Sequence, residues 1–247
     1  MHIPINVSWD ISTKCNLKCK HSSFYSDEHI KEEVSSNDVF KIIKRLEEVG
    51  VLGVALLGGE PLLRKDIFNV ISELKKRNML VSISTNGSFT KNKSISLVNA
   101  LRNVQIDNVQ VSLENSNKII HEFIRGKDTY EKTIYFIKLL RSKSINSHIS
   151  MTVGKHNIKE IDDTIKLSKN LGVGFRYTIL LPIGRANKYM GQFLLDNKDF
   201  KYIVDRWRFW KENYPKTIIA NDPTGGCPVN LDRYFLYDKA KWRCCDL

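Results

Sequence analysis

Two cysteines and a serine lie close together near the start of the chain, at Cys15, Cys19 and Ser22. Three cysteines at these spacings would place three thiolates around one short loop. Such a loop can bind three irons of a 4Fe-4S cluster and leave the fourth iron open to a ligand, whereas the usual ferredoxin pattern closes all four positions with cysteine. The spacing therefore indicates iron-sulfur chemistry, with a hydroxyl where the third thiolate would be.

Ser22 weakens this predicted site, because a serine hydroxyl is a much poorer iron ligand than a thiolate. With two thiolates we expect the cluster to be labile or absent. Three explanations stay open: a deliberate change of cysteine to serine, a natural relative that has lost catalysis, and rescue by another donor such as His21 or a residue of a partner.

Four further motifs each follow an apolar run or end a predicted strand. They are residues 57–61 (LGGEP), 83–87 (ISTNG), 111–114 (VSLE) and 181–186 (LPIGRA). Together with residues 15–22 they resemble, in this order, the radical S-adenosylmethionine (radical SAM) enzymes, over residues 9 to about 186. The last motif is similar to one in members that carry a C-terminal SPASM or twitch extension.

The resemblance implies two cofactors, a 4Fe-4S cluster and SAM, which carry the reaction while the protein positions and shields them. The implied cluster positions are Cys15, Cys19 and Ser22. The residues implied to bind the methionine amino end of SAM are Gly58, Gly59, Glu60 and Pro61. Those implied for the ribose and carboxylate are Thr85, Asn86, Ser112 and Arg125. His21 lies where the family often has a side chain beside the adenine.

Several of these residues also have simpler interpretations. Gly58 and Gly59 suit an ordinary tight turn. Arg125 suits a solvent-exposed helix end, and His21 an exposed loop. A carboxylate at the active edge of a sheet favours a cationic partner, which we expect for Glu60.

The C-terminal region carries a weaker cluster signal. Cys227 and Cys244 resemble the opening of a SPASM segment, in which one cysteine precedes a hairpin and another ends it. A complete SPASM domain has more cysteines, so we expect a truncated or incomplete auxiliary cluster. A hairpin with incidental cysteines is the alternative.

Alternating apolar patterns predict the elements that must position these motifs. Strands are predicted at 5–8, 51–57, 80–84, 109–113, 148–153 and 174–180. Helices are predicted from a cap at Ser36 or Asn37 to 49, and at 67–76, 95–101, 130–140, 158–170 and 198–213. We therefore expect an α/β fold, a partial (β/α)6 TIM-like barrel with a short irregular C-terminal extension. The predicted division is a barrel at 1–195 and a helix with a truncated SPASM- or twitch-like tail at 196–247.

Composition limits the class of protein. The 247 residues can bury a sizeable core, and 42% hydrophobic with 27% charged residues is ordinary for a globular protein. No apolar run approaches the roughly 20 residues that span a bilayer, and no secretory signal is present, so we expect a cytoplasmic protein without membrane contact. Five cysteines in two clusters suit a reducing compartment.

The chain is strongly basic, with 39 Lys and Arg against 27 Asp and Glu and a net charge of +12. A solvated basic surface accounts for this charge. Docking of an acidic electron donor such as flavodoxin or ferredoxin is the functional alternative. Nucleic acid is disfavoured, because the basic residues are scattered over many helices.

The resemblance implies a radical SAM enzyme that cleaves SAM to a 5′-deoxyadenosyl radical for hydrogen abstraction. Members with such tails mostly modify peptides or proteins, so we expect a peptide substrate. The alternatives are cofactor or haem maturation and a catalytically inactive accessory scaffold that binds SAM or a peptide.

Overall fold

A computed structural model describes residues 5–23 and 33–219 of the chain. The strands are β1 (Asn6–Ser12), β2 (Gly53–Gly58), β3 (Leu80–Thr85), β4 (Asn108–Ser112), β5 (Ser147–Val153) and β6 (Gly174–Ile179). The α-helices are α1 (Ser36–Glu48), α2 (Ile67–Lys76), α3 (Lys91–Asn103), α4 (Lys118–Arg125), α5 (Tyr130–Ser142), α6 (Ile161–Leu171), α7 (Met190–Phe193) and α8 (Asn197–Asn213). Short 3-10 helices lie at Pro61–Leu63, Ile158–Glu160 and Gly184–Tyr189.

The six strands form one parallel sheet in which each strand pairs with the next along the chain. Helices connect them, as parallel crossovers require. This confirms the predicted α/β class and the partial (β/α)6 barrel. The predicted division at residue 195 stays a prediction, and most of the proposed tail, residues 220–247, lies outside the described residues.

The core lies between the sheet and its helices. On β3, Val81, Ile83 and Thr85 are buried. Ser82 and Ser84, which alternate with them, are half-buried. This alternation follows from the two-residue period of a strand, which places one set of side chains against the helices and the other on the opposite face. The polar face of the sheet is therefore available to line a site.

Several elements differ from prediction at their ends; β1, for example, continues to Ser12, and α6 begins at Ile161. Helix α1 is capped by Ser35, whose hydroxyl accepts from the Asp38 amide, not by Ser36 or Asn37. Helix α3 begins at Lys91 because Thr90 caps it. Helix α4 was not predicted at all. Among the described residues, no helix combines the length and apolarity that a membrane crossing needs.

Candidate functional site

A cavity of about 360 Å³ opens at the carboxyl edge of the sheet, where parallel α/β folds commonly hold their sites. Most of the predicted residues line it: Cys15, Cys19, Ser22, Gly58, Gly59, Thr85, Asn86, Ser112 and Arg125, with His21 among them. Glu60 and Pro61 are buried beside this cavity and do not line it. A second cavity, of about 400 Å³, lies at the amino ends of β1–β4 and contains none of the predicted residues.

The loop after β1 carries the predicted cluster ligands, and its donors are incomplete. Cys15 is half-buried and Cys19 is buried, and burial raises the pKa of both thiols. Within residues 5–23 and 33–219, no three His, Cys, Asp or Glu side chains are grouped so that they could hold a metal ion. Two thiolates and the Ser22 hydroxyl do not match the three-thiolate site that the spacing predicts.

His21 does not supply the missing donor in this arrangement. Its Nε2 lies 3.6 Å from Oε1 of Glu114, and its Nδ1 is buried without a hydrogen-bond partner. Burial lowers the pKa of His21 to about 4, so the ring is neutral near pH 7. His21 lines the cavity as a largely buried side chain, and the interpretation as an exposed loop histidine was wrong.

Gly58 and Gly59 are required by a close approach between two loops. Gly58 has a φ of +116°, and a Cβ on it would lie 2.3 Å from the Ser12 carbonyl oxygen. A Cβ on Gly59 would lie 2.3 Å from the Lys14 carbonyl oxygen. The amides of Gly59 and Glu60 donate to these same two carbonyls, at 2.8 and 2.7 Å. The glycine pair therefore fixes the start of the cysteine loop as well as one wall of the cavity.

A substitution at Gly59 tests this close approach. Because Gly59→Ala places a methyl group against the Lys14 backbone, we expect the free energy of unfolding to fall by about 1–3 kcal/mol. SAM binding should weaken in the same variant, since the cysteine loop must shift. Denaturant unfolding and calorimetry with SAM measure the two effects.

Gly191→Ala is the matched control, because nothing lies within 4 Å of a Cβ at Gly191. Equal stability of the Gly59 and Gly191 variants would show that the loops can separate without cost.

Glu60 has neutral partners where a cationic one was expected. The Leu62 amide and the Thr85 hydroxyl donate to its Oε1 at 3.1 and 2.8 Å, and the Asn86 amide donates to Oε2 at 2.7 Å. Burial raises the pKa of Glu60 to about 7 against the opposing effect of these donors. The carboxyl group thus joins the end of β2 to the end of β3. A direct role in binding SAM stays a prediction.

Arg125 ends α4 but is buried in an ion pair, so the interpretation as a helix end holds and its solvent exposure was wrong. Its Nε and Nη2 donate to Oε1 of Glu114 at 2.9 and 2.6 Å, and its Nη1 lies 3.8 Å from Sγ of Cys19. Burial alone would raise the pKa of Glu114, but His21, Arg125 and the Thr152 amide lower it to about 2. The end of β4 therefore carries a buried, ionised carboxylate with a fixed cation.

Two charged residues at the site, Glu114 and Arg185, were not predicted, although both lie in motifs that resemble the family. Glu114 ends the VSLE motif and organises the ion pair. Arg185 lies in the LPIGRA motif, lines the cavity and donates from Nε to the Cys19 carbonyl at 2.9 Å. Their places at the carboxyl ends of strands were the available signal. The predicted auxiliary positions Cys227 and Cys244 lie outside the described residues.

Comparison with known proteins identifies the family of this chain. The profile of the Radical SAM superfamily matches residues 9–168. The chain is 29% identical over 188 residues to the AdoMet-dependent heme synthase of Methanosarcina barkeri. This match covers 75% of this chain and 53% of that protein. It is 28% identical to the mycofactocin maturase MftC of Mycolicibacterium smegmatis, over 74% of this chain and 46% of that protein. The chain thus spans about half the length of these relatives.

The fold is also similar to a solved structure. Streptococcus suis SuiB bound to its precursor peptide SuiA matches with a TM-score of 0.75 and 17% identity, over 87% of this chain and 48% of SuiB. The superfamily match covers the cysteine loop, the glycine turn and the ends of β3 and β4. On this evidence the chain belongs to the radical SAM superfamily, a superfamily of enzymes.

Proposed function

We propose that this chain is the SAM-binding barrel of a radical SAM enzyme that modifies a peptide or protein, with a cluster site that is one thiolate short. The observation that carries the proposal is the single cavity that brings together the cysteine loop, the glycine turn and the ends of β3, β4 and β6. These are the positions from which the family binds its two cofactors.

SAM would occupy this cavity. Its methionine end would lie against the Gly58–Gly59 backbone, which lines the cavity. Thr85, Asn86 and Ser112 line the cavity with hydroxyl and amide groups that suit a ribose or a carboxylate. Arg125 already gives Nε and Nη2 to Glu114 and Nη1 to Sγ of Cys19, so only its remaining N–H groups could serve the SAM carboxylate.

The cluster would be bound by Cys15 and Cys19. When bound through three thiolates, it supplies the electron that cleaves SAM to the 5′-deoxyadenosyl radical. Ser22 lines the cavity at the third position, and its hydroxyl is a poor substitute. As written, the chain is therefore expected to bind SAM and to hold a cluster poorly.

A peptide is the substrate that the relatives favour. SuiB is described with a bound precursor peptide, and MftC is a maturase. The heme synthase supports cofactor or haem maturation as the second candidate. Ser22 supports a third, an inactive scaffold that binds SAM or a peptide.

The remaining assignments belong to the same proposal. They are membership of the SPASM or twitch branch, an auxiliary cluster at Cys227 and Cys244, and a tail that begins near residue 196. The charge of +12 suits an acidic electron donor such as flavodoxin or ferredoxin, since opposite charges speed and orient docking.

The test is reductive cleavage of SAM without substrate. Ser22→Cys protein, reconstituted under anaerobic conditions and reduced with dithionite, should convert SAM to 5′-deoxyadenosine and methionine. Cleavage needs the cluster, bound SAM and one electron, and without substrate the 5′-deoxyadenosyl radical takes a hydrogen atom from buffer or protein, or a second electron from dithionite and a proton. The unmodified chain should form little of either product. Chromatography with mass detection measures both.

Calorimetry with SAM on the unmodified chain separates the candidates. SAM binding together with 5′-deoxyadenosine from Ser22→Cys supports the enzyme. SAM binding without cleavage in a variant that holds a full cluster would favour the scaffold, and absence of SAM binding in both proteins would refute the assigned cavity.

A further inference from the structure

The cysteine loop, residues 15–22, is held in shape by contacts that involve main-chain groups and non-cysteine side chains. We propose that Arg185 is the positioning residue for its second half, and that it fixes residues 19–22 before any cluster binds. The proposal goes beyond the proposed function, since it concerns the loop of the cluster-free chain.

Arg185 makes two hydrogen bonds to this half of the loop. Its backbone amide donates to the Ser22 carbonyl at 2.9 Å, and its Nε donates to the Cys19 carbonyl at 2.9 Å. The two acceptors are the carbonyls of the second cluster cysteine and of the residue in the third position. Both residues also line the cavity with their side chains. One arginine therefore sets the relative placement of two cluster positions.

Gly184 allows Arg185 to come so close. It has a φ of +62°, and a Cβ on it would lie 2.3 Å from the Ser22 carbonyl oxygen and 2.8 Å from the Ser23 carbonyl carbon. Only glycine combines this backbone conformation with this approach at no steric cost. The turn after β6 is thus shaped to meet the loop, which gives the LPIGRA motif a physical reason.

The opposite side of the loop is also fixed. The Lys20 amide donates to the Ile124 carbonyl of α4 at 2.9 Å, and the Lys20 ammonium lies 3.3 Å from the centre of the Phe123 ring. Asn16 bridges the first half to the β3 end, since its side chain donates to the Ser88 carbonyl and accepts from the side-chain Nδ2 of Asn86, both at 2.9 Å. Arg185→Ala removes the bond to the Cys19 carbonyl and keeps the backbone bond to Ser22, so it should loosen residues 19–22 and leave the first half of the loop in place.

Hydrogen exchange of the chain as given tests the proposal without any cofactor. In Arg185→Ala, amides of residues 19–22 should exchange roughly tenfold faster or more, because a charge-assisted hydrogen bond to the loop is lost. Exchange in β5 should not change. Arg185→Lys should recover part of the protection, because it keeps the charge and loses the planar Nε donor.

Arg102→Ala is the matched control. Arg102 also donates to a main-chain carbonyl, that of Lys143, at 2.8 Å, but away from the loop. Its variant should leave loop exchange at the native rate. Native exchange rates at residues 19–22 in Arg185→Ala would overturn the proposal.

A second readout uses the cluster itself. In the Ser22→Cys protein, adding Arg185→Ala should lower the iron and sulfide bound after reconstitution several-fold and broaden the EPR spectrum of the reduced cluster, whereas adding Arg102→Ala should change neither. Unchanged cluster content and an unchanged spectrum would also contradict the positioning role. Neither readout depends on SAM cleavage, so a failure of the proposed function would leave this test intact.

Discussion

Ser22→Cys is expected to turn the cysteine loop from a site that holds well below one 4Fe-4S cluster per chain into one that holds close to one. The third thiolate completes the donor set that this cluster type selects, and it appears at a position that already lines the cavity with Cys15 and Cys19. The loop needs no rebuilding, because Gly59, Arg185 and their neighbours already fix its path. Iron and sulfide analysis with EPR of the reduced protein measures the change.

Ser23→Cys is the matched control, since it adds a thiol to the same cavity at an exposed position one residue outside the three-cysteine spacing. It should leave the cluster content near that of the unmodified chain. Two outcomes count against the interpretation of Ser22: a full cluster that responds to SAM in the unmodified chain, or equal content in the Ser22 and Ser23 variants.

Arg125→Met is expected to lower the free energy of unfolding by about 3–5 kcal/mol, because it leaves the Glu114 carboxylate buried without its cation. Methionine is shorter than arginine, so some packing is lost as well, but only the loss from the unpaired charge depends on pH. Chemical denaturation at pH 7 measures the loss. Arg45→Met is the control: its ion pair with Glu48 is exposed, and pairs of that kind contribute at most about 1 kcal/mol.

The dependence on pH gives this prediction a second readout. In the native chain the pKa of Glu114 is lowered to about 2, so its stabilising contribution is complete above its ordinary pKa of 4.5 and is lost as the pH falls toward 2. In Arg125→Met the carboxyl loses its cation and burial raises its pKa, so acid neutralises the unpaired charge. The stability difference between variant and native chain should therefore shrink as the pH is lowered. A difference that stays constant from pH 7 to pH 4 would assign the loss to packing.

A double variant isolates the pair itself. Adding Glu114→Gln to Arg125→Met removes the unpaired charge and should restore part of the stability, with a coupling energy of about 0.5–3 kcal/mol in the cycle. Additive losses would mean that the two side chains act independently.

Much of the fold could be predicted because the strands and the longer helices have regular apolar periods. Helix α2 begins and ends at the predicted residues, and all six strands lie at or within a few residues of prediction. Helix α4 was missed because it has only eight residues, although its apolar residues share one face. Helix α3 starts earlier than its first apolar residue, since its first turn is polar and depends on the Thr90 cap.

The site was predictable where a motif follows a strand, because the carboxyl ends of parallel strands meet at one edge. What the sequence could not supply was the partner of each side chain. Glu60 and Arg125 illustrate this. A cationic partner was expected for Glu60, which instead accepts hydrogen bonds from three neutral donors. Solvent was expected around Arg125, which instead pairs with Glu114. Contacts between loops far apart in the chain leave no local pattern, which is why the role of Arg185 was also missed.

The sequential order of the strands has a consequence for how the chain folds. Strand β1 pairs residue 6 with residue 53, whereas β2 and β3 pair residue 53 with residue 80, and β5 and β6 pair residue 148 with residue 174. Closing the β1–β2 loop costs the most chain entropy of these, although the cost grows only slowly with length. We expect β1 to join the sheet late, onto a platform already assembled from β2 to β6. The cysteine loop that follows β1 would then be ordered in the last step of folding, so any cluster would be inserted into an almost fully folded protein.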